Sequence, residues 1–148
     1  MTMTDSIFHY ADPADSAAYL TAKLAYYIDA WDLAESCQRD SAEYIILDVR
    51  SADHYRLGHI PGAINFPHRE MNALTLASLS KQAHYVTYCD GIGCNGSTKG
   101  AYNLAQAGFK VKELIGGLDF WRRDNHPIIE GSEPSTWPTD AASIQCGC

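Results

Sequence analysis

A chain of 148 residues, 46% hydrophobic and 20% charged, has the length and balance of one globular domain with a single core. Its net charge of −7, without a basic run or basic helix face, argues against a nucleic-acid binder. No apolar run approaches the ~18 residues of a membrane span, and the opening MTMTDSIFHY lacks the charged-then-apolar order of a signal peptide. The expectation is a cytoplasmic protein with no membrane and no nucleic-acid partner. In that reducing setting Cys37, Cys89, Cys94, Cys146 and Cys148 are expected as thiols, ligands or catalysts rather than as a disulfide framework.

In chain order, Asp12-Pro13 reads as a cap and first turn of a leading helix, with Ala17, Ala18, Leu20 and Leu24 as its apolar stripe. Tyr26 to Ile28 suits a brief strand, after which Asp29 caps a helix over Trp31, Leu33, Ala34 and Cys37, the last read as a small buried hydrophobe. Tyr44 to Val49 (YIILDV) is a near-continuous apolar run, the pattern of a strand covered on both faces. Gly58, Pro61 and Gly62 limit Ala52 to Leu57 to a turn or two of helix before Ala63 to Phe66 extends as a strand. Arg69 to Leu79 offers Met71, Leu74, Leu76 and Leu79 as a helical stripe. Val111 to Ile115 reads as a strand broken by Gly116-Gly117, and LDFWRRD as a last helix with Phe120 and Trp121 inward. From Ile129 the chain turns polar and aperiodic. The expected division is a helical extension over 1–25, an α/β domain over 26–128 and a flexible tail over 129–148.

The chemistry concentrates in HYVTYCDGIGCNGSTKGAYNLAQAGF. His84 to Tyr88 suits a buried strand, Cys89 stands at its end, and Asp90 to Gly96 forms a glycine-rich loop. Ser97 or Thr98 then caps a helix whose apolar positions are Ala101, Leu104, Ala105 and Phe109. Ligands of parallel sheets bind at the carboxyl ends of strands. A loop closing onto a helix start also aims backbone N–H groups and the positive end of the helix dipole at one spot. A Cys89 thiolate lying there is stabilised and becomes a nucleophile without a histidine partner. Asp90, a carboxylate next to it, works against this. The expected site is therefore Cys89 as nucleophile, with Asp90, Gly91, Ile92, Gly93, Cys94, Asn95, Gly96, Ser97 and Thr98 as an anion cradle, and with neither cofactor nor metal.

Three segments, LDVRSADHYRLGHIPGAINFP, the strand ending at Cys89, and LIGGLDFWRRDNHPI, together resemble the rhodanese domain over roughly Tyr26 to Ile128. The resemblance implies a three-layer α/β/α fold around a mainly parallel sheet. It implies a sulfurtransferase or sulfur carrier in which Cys89, matching the family's nucleophile, takes up sulfur as a persulfide. The donor is a small sulfur compound, thiosulfate or a persulfide, and the acceptor a thiol or a protein. Asp48, Arg50 and His59 match the structural signature of the family.

The loop departs from the familiar one. Seven residues separate Cys89 from Ser97 and none is basic, where the family's shorter loop usually carries an arginine; Lys99 is the nearest cation in sequence. Phosphatase and arsenate reductase relatives place an arginine at the sixth position after the cysteine, which here is Asn95, so that chemistry ranks below sulfur transfer. A non-catalytic binding or regulatory domain is the other alternative. Cys94 reads either as a wall of the bowl or as a resolving thiol that forms a disulfide with Cys89. Cys146 and Cys148 read as a mobile end, as sulfur acceptors, or as half of a four-thiolate zinc site. Gly91, Gly93 and Gly96 also spell a dinucleotide-binding fingerprint. It opens too late in the chain for a nucleotide-binding half, and its acidic candidate, Glu113, falls inside a strand. His9, His54, His68, His84 and His126 read as surface or helix-edge residues.

Overall fold

The apolar runs Tyr44–Asp48 (β2) and His84–Tyr88 (β4) pair in parallel, Tyr44 opposite His84 and Asp48 opposite Tyr88, at the centre of a five-stranded sheet. The structure, a computed structural model, describes residues 7–39 and 44–139. Tyr27–Ile28 (β1), Ile64–Asn65 (β3) and Lys110–Leu114 (β5) complete the sheet in the order β1-β5-β4-β2-β3, every pair parallel.

Because side chains alternate along a strand, β2 and β4 feed two cores. Ile46, Val86 and Tyr88 face a cluster with Leu33 and Ala34 of helix α2 (Ala30–Gln38) and Leu118 and Trp121 of helix α6 (Gly117–Arg123). Leu47, Val49, Tyr85 and Cys89 face the other, with Leu104 of helix α5 (Gly96–Gln106) and Leu76 of the short helix α4 (Ala73–Leu76). The result is the expected three-layer α/β/α arrangement. Asp29 caps α2 by accepting from Asp32 N at 2.8 Å, and Ser51 caps α3 (Ala52–Leu57) by accepting from His54 N at 3.4 Å.

Four expectations need correction. The leading helix α1 spans Pro13–Tyr26, but none of its residues is buried; Leu20 and Leu24 stay exposed because the helix rides at the β1–β5 edge. The stripe over Arg69 to Leu79 is not one helix. Asn72 accepts from Leu74 N and Thr75 N while Thr75 Oγ1 accepts from Asn72 N, and this capping box restarts the chain after a 3-10 turn at His68–Glu70, leaving Leu74 exposed. The described residues after Ile129, expected as part of a flexible tail, are docked on the domain. Ile129 and His59 exchange backbone hydrogen bonds at 2.9 Å, Gly62 N donates to Pro134 O at 2.8 Å, and Trp137 packs edge-on to Trp121. His126 is buried against the Trp121 ring rather than at the surface, and neither of its ring nitrogens has a hydrogen-bond partner among the described residues. The end of the chain, with Cys146 and Cys148, lies outside the described residues.

Candidate active site

Central strand β4 delivers Cys89 to the carboxyl edge of the sheet, where the loop Asp90 to Asn95 rises and returns to the N-terminus of α5. Cys89 is 5% exposed. Its carbonyl accepts from Leu118 N at 3.0 Å, and the Asp90 carbonyl accepts from Asp119 N at 2.8 Å. The start of α6 thus holds the near side of the loop through its own unsatisfied N–H groups. Gly117 allows this contact, having φ +55 and lying against the Cys89 carbonyl with no room for a side chain.

Within the loop, Cys94 N donates to Gly91 O at 3.0 Å, a turn that carries Cys94 back over Cys89. The two residues are joined by a disulfide, with Cα atoms 6.4 Å apart. This is the pairing that the resolving-thiol reading of Cys94 requires, and Cys94 also packs against the core cluster that contains Cys89. Gly96 N, at the start of α5, donates to Cys94 Sγ at 3.4 Å. A Cβ on Gly96 would stand 2.9 Å from Cys89 Sγ and 3.3 Å from Cys94 Sγ, so the helix must open with glycine for both sulfurs to sit at its N-terminus.

The expected cap is placed differently. The N-cap is Asn95, without a side-chain hydrogen bond, and the hydroxyls of Ser97 and Thr98 instead bond Glu113 Oε1 on β5 at 3.2 and 2.7 Å. The two hydroxyls are therefore engaged with β5 rather than with the helix start. Glu113, the acidic candidate of the glycine fingerprint, is occupied by these hydroxyls. Gly91 packs against Asp119, with Asp119 Cβ 3.2 Å from where its own Cβ would be, while Ile92 at the loop tip is 74% exposed.

The carboxylate of Asp90 is engaged by Arg50. Arg50 Nη1 donates to it at 3.0 Å, and the same guanidinium donates to Asp48 at 2.6 and 3.0 Å and to Gly58 O at 2.6 Å. Burial alone would lower the Arg50 pKa, but the hydrogen bond and charge of Asp48, with Tyr88 and Asp90, hold it above the ordinary arginine value. Tyr88 Oη donates to Asp48 at 2.6 Å and accepts from Ile60 N at 3.1 Å. His59, fully buried, stacks on Tyr55 with its Nδ1 3.0 Å from Tyr55 O. Asp48, Arg50 and His59 hold the frame, as their sequence context implied.

One neighbour of the sulfurs was missed. His68 follows β3, and its ring Cδ2 comes within 3.4 Å of where a Gly96 Cβ would be. Its pKa is lowered by burial and then by the charges of Lys99 and Arg69. The available signal was its place just beyond a strand's carboxyl end. Cys37 stays remote in the α2 core, and burial raises its thiol pKa to about 11. Among the described residues, no helix is long and apolar enough to cross a membrane.

Known proteins agree with this geometry. A protein from Bacillus halodurans, BH2092, is 41% identical in sequence and superposes with a TM-score of 0.78 over 82% of this chain and 88% of its own. An HTH-type transcriptional regulator, Rv0324 of Mycobacterium tuberculosis, is 36% identical over 124 residues, 84% of this chain and 54% of the regulator. The chain thus spans about half of that relative and 62% of the length of YibN of Escherichia coli. Thiosulfate sulfurtransferase 16, chloroplastic, of Arabidopsis thaliana is 32% identical over 91 residues, 55% of this chain and 76% of that protein. The Rhodanese-like domain model matches residues 29–124, and with the strand order, the buried signature residues and the strand-end cysteine already in view, the chain belongs to the rhodanese-like domain family.

Proposed function

We propose that the protein is a sulfurtransferase in which Cys89 carries the transferred sulfur atom. The observation that carries this reading is the floor of the site: Cys89 Sγ rests against the glycine that opens α5, where helix N–H groups and the dipole favour an anionic sulfur. With Cys94 reduced, the Cys89 thiolate attacks the sulfane sulfur of thiosulfate; the S–S bond of the donor breaks, sulfite leaves with its electron pair, and Cys89 is left as a persulfide anion. An acceptor thiolate or other thiophile then takes the outer sulfur and returns Cys89 as thiolate. Arg50, shared with Asp48, draws the Asp90 carboxylate into a salt bridge and offsets part of its charge, and Lys99 in the first turn of α5 is the cation nearest to the loop in sequence.

The absence of a bidentate guanidinium in the loop, with Asn95 at the arginine position, counts against phosphoryl transfer. A second reading has one observation in its favour. The identity to a transcriptional regulator fits a regulatory domain in which the Cys89–Cys94 pair reports sulfur or redox state without turnover. Steady-state sulfite production from thiosulfate, with a thiol acceptor and a reductant present, separates the two. Turnover abolished in Cys89→Ser supports the enzyme; one equivalent of sulfite and no further turnover supports the sensor.

A further inference from the structure

Cys94 occupies the position from which a sulfur on Cys89 would be attacked. The Gly91–Cys94 turn carries it back over the strand end, its Sγ is bonded to Cys89 Sγ, and both sulfurs share the space left by Gly96. Cys94 is half-buried and closes the approach to Cys89, which is 5% exposed. Gly96 N donates to Cys94 Sγ, an interaction that favours this sulfur as thiolate too. An attacking group held in place within the loop competes against acceptors in solution with an effective concentration no free thiol reaches.

We propose that Cys94 is a second catalytic residue, which expels the transferred sulfur as hydrosulfide and so makes sulfide the product released to solution; this rests on the reading of Cys89 as persulfide carrier. The Cys94 thiolate attacks Cys89 Sγ of the protonated persulfide. The bond between Cys89 Sγ and the outer sulfur breaks, and hydrosulfide leaves with the bonding pair and the persulfide proton. The sulfane sulfur is reduced by two electrons, and the two protein thiols are oxidised to the Cys89–Cys94 disulfide, the state seen here. No external oxidant is required. A second cycle needs a dithiol reductant, which attacks the more accessible Cys94 sulfur, releases Cys89 as the leaving thiolate, and becomes a disulfide itself. The chain would thus work between a sulfane-sulfur donor and a dithiol, with Cys94 deciding that sulfur departs as sulfide rather than being passed on as sulfane.

The test is a single turnover. The full chain is reduced, freed of reductant and given thiosulfate or glutathione persulfide; sulfide is trapped and the intact mass recorded. The parent is expected to release about one sulfide per chain and to lose two hydrogens. Cys94→Ser is expected to release under about a tenth of that and to retain one added sulfur, with Cys94→Ala as the check on any effect of the serine hydroxyl. A variant with Cys146→Ser and Cys148→Ser is expected to release sulfide as the parent does; loss of release there transfers the role to the C-terminal thiols and overturns the inference. A parent that keeps its persulfide as Cys94→Ser does also overturns it, while leaving sulfur uptake by Cys89 intact. A Cys94→Ser chain that gains no sulfur from either donor removes the carrier reading, and this inference with it.

Discussion

Arg50 Nη1 donates to Asp90 Oδ1 at 3.0 Å across forty residues of sequence, tying the end of β2 to the residue that follows Cys89. The other face of the same guanidinium holds Asp48, which is fully buried. One side chain therefore serves both the core and the site, and the two roles separate by mutation. Arg50→Met strands the Asp48 carboxylate, with only Tyr88 and the Arg50 backbone N–H left to bond it. The expected loss is about 3–5 kcal/mol in the free energy of unfolding, read by urea titration. Asp90, with its side chain 57% exposed, should cost no more than ~1 kcal/mol on change to alanine. Equal losses at both positions would contradict this division.

Gly96→Ala tests the shared space beneath the sulfurs. The new methyl meets Cys89 Sγ at 2.9 Å and must displace it or the helix start. Sulfur transfer should fall on the order of a hundredfold, with the urea midpoint changed far less than by Arg50→Met. Full activity in this variant would mean that Cys89 does not work from the position seen here.

The charges around His68 predict a preference among donors. Lys99 and Arg69 are the cations whose charges bear on His68, beside Gly96, so replacing both by methionine should raise KM for the thiosulfate dianion several-fold and weaken its dependence on salt. An uncharged alkyl persulfide should be used as before. An equal loss with both donors would point to a structural effect.

Stability should fall as the medium is acidified below neutrality. His126 is 5% exposed, without partners on either ring nitrogen among the described residues, and burial lowers its pKa below the usual histidine value. A depressed histidine pKa means that the unfolded chain binds the proton first, so stability is full above the unfolded pKa of about 6.5 and is lost as pH falls from there through the folded value. His68 is shifted in the same direction and adds to the slope. Urea midpoints between pH 7.5 and roughly 5 should decline for the parent and less steeply for His126→Phe, with His68→Gln removing the remainder. An unchanged slope in both variants would contradict the assignment.

Much of the scaffold was legible because its signals are local. YIILDV and HYVTY announce buried strands by composition, Asp29 announces a helix by its cap, and the run from β4 through the glycine loop announces a site at a strand end. What escaped depends on contacts between distant segments. The Arg50–Asp90 salt bridge offsets part of the charge beside Cys89 while Arg50 also serves Asp48, and spacing gives no sign of it. Ser97 and Thr98 look like caps until β5 brings Glu113 to their hydroxyls. The stripe from Met71 to Leu79 has helical periodicity, yet Asn72 offers the backbone a better cap than helix continuation. The polar segment after Ile129 has no periodicity because it docks by backbone hydrogen bonds to His59 and Gly62, which leave no pattern in side chains.

The most direct measurement is peptide mapping of the Cys94→Ser chain after one exposure to thiosulfate or glutathione persulfide, with the remaining thiols blocked and the added sulfur located. The account predicts one extra sulfur on the peptide that carries Cys89 and none on Cys37, whose buried thiol is raised to about 11. Sulfur found on Cys37, Cys146 or Cys148 instead, or on no cysteine while Cys89 remains open to alkylation, would contradict it.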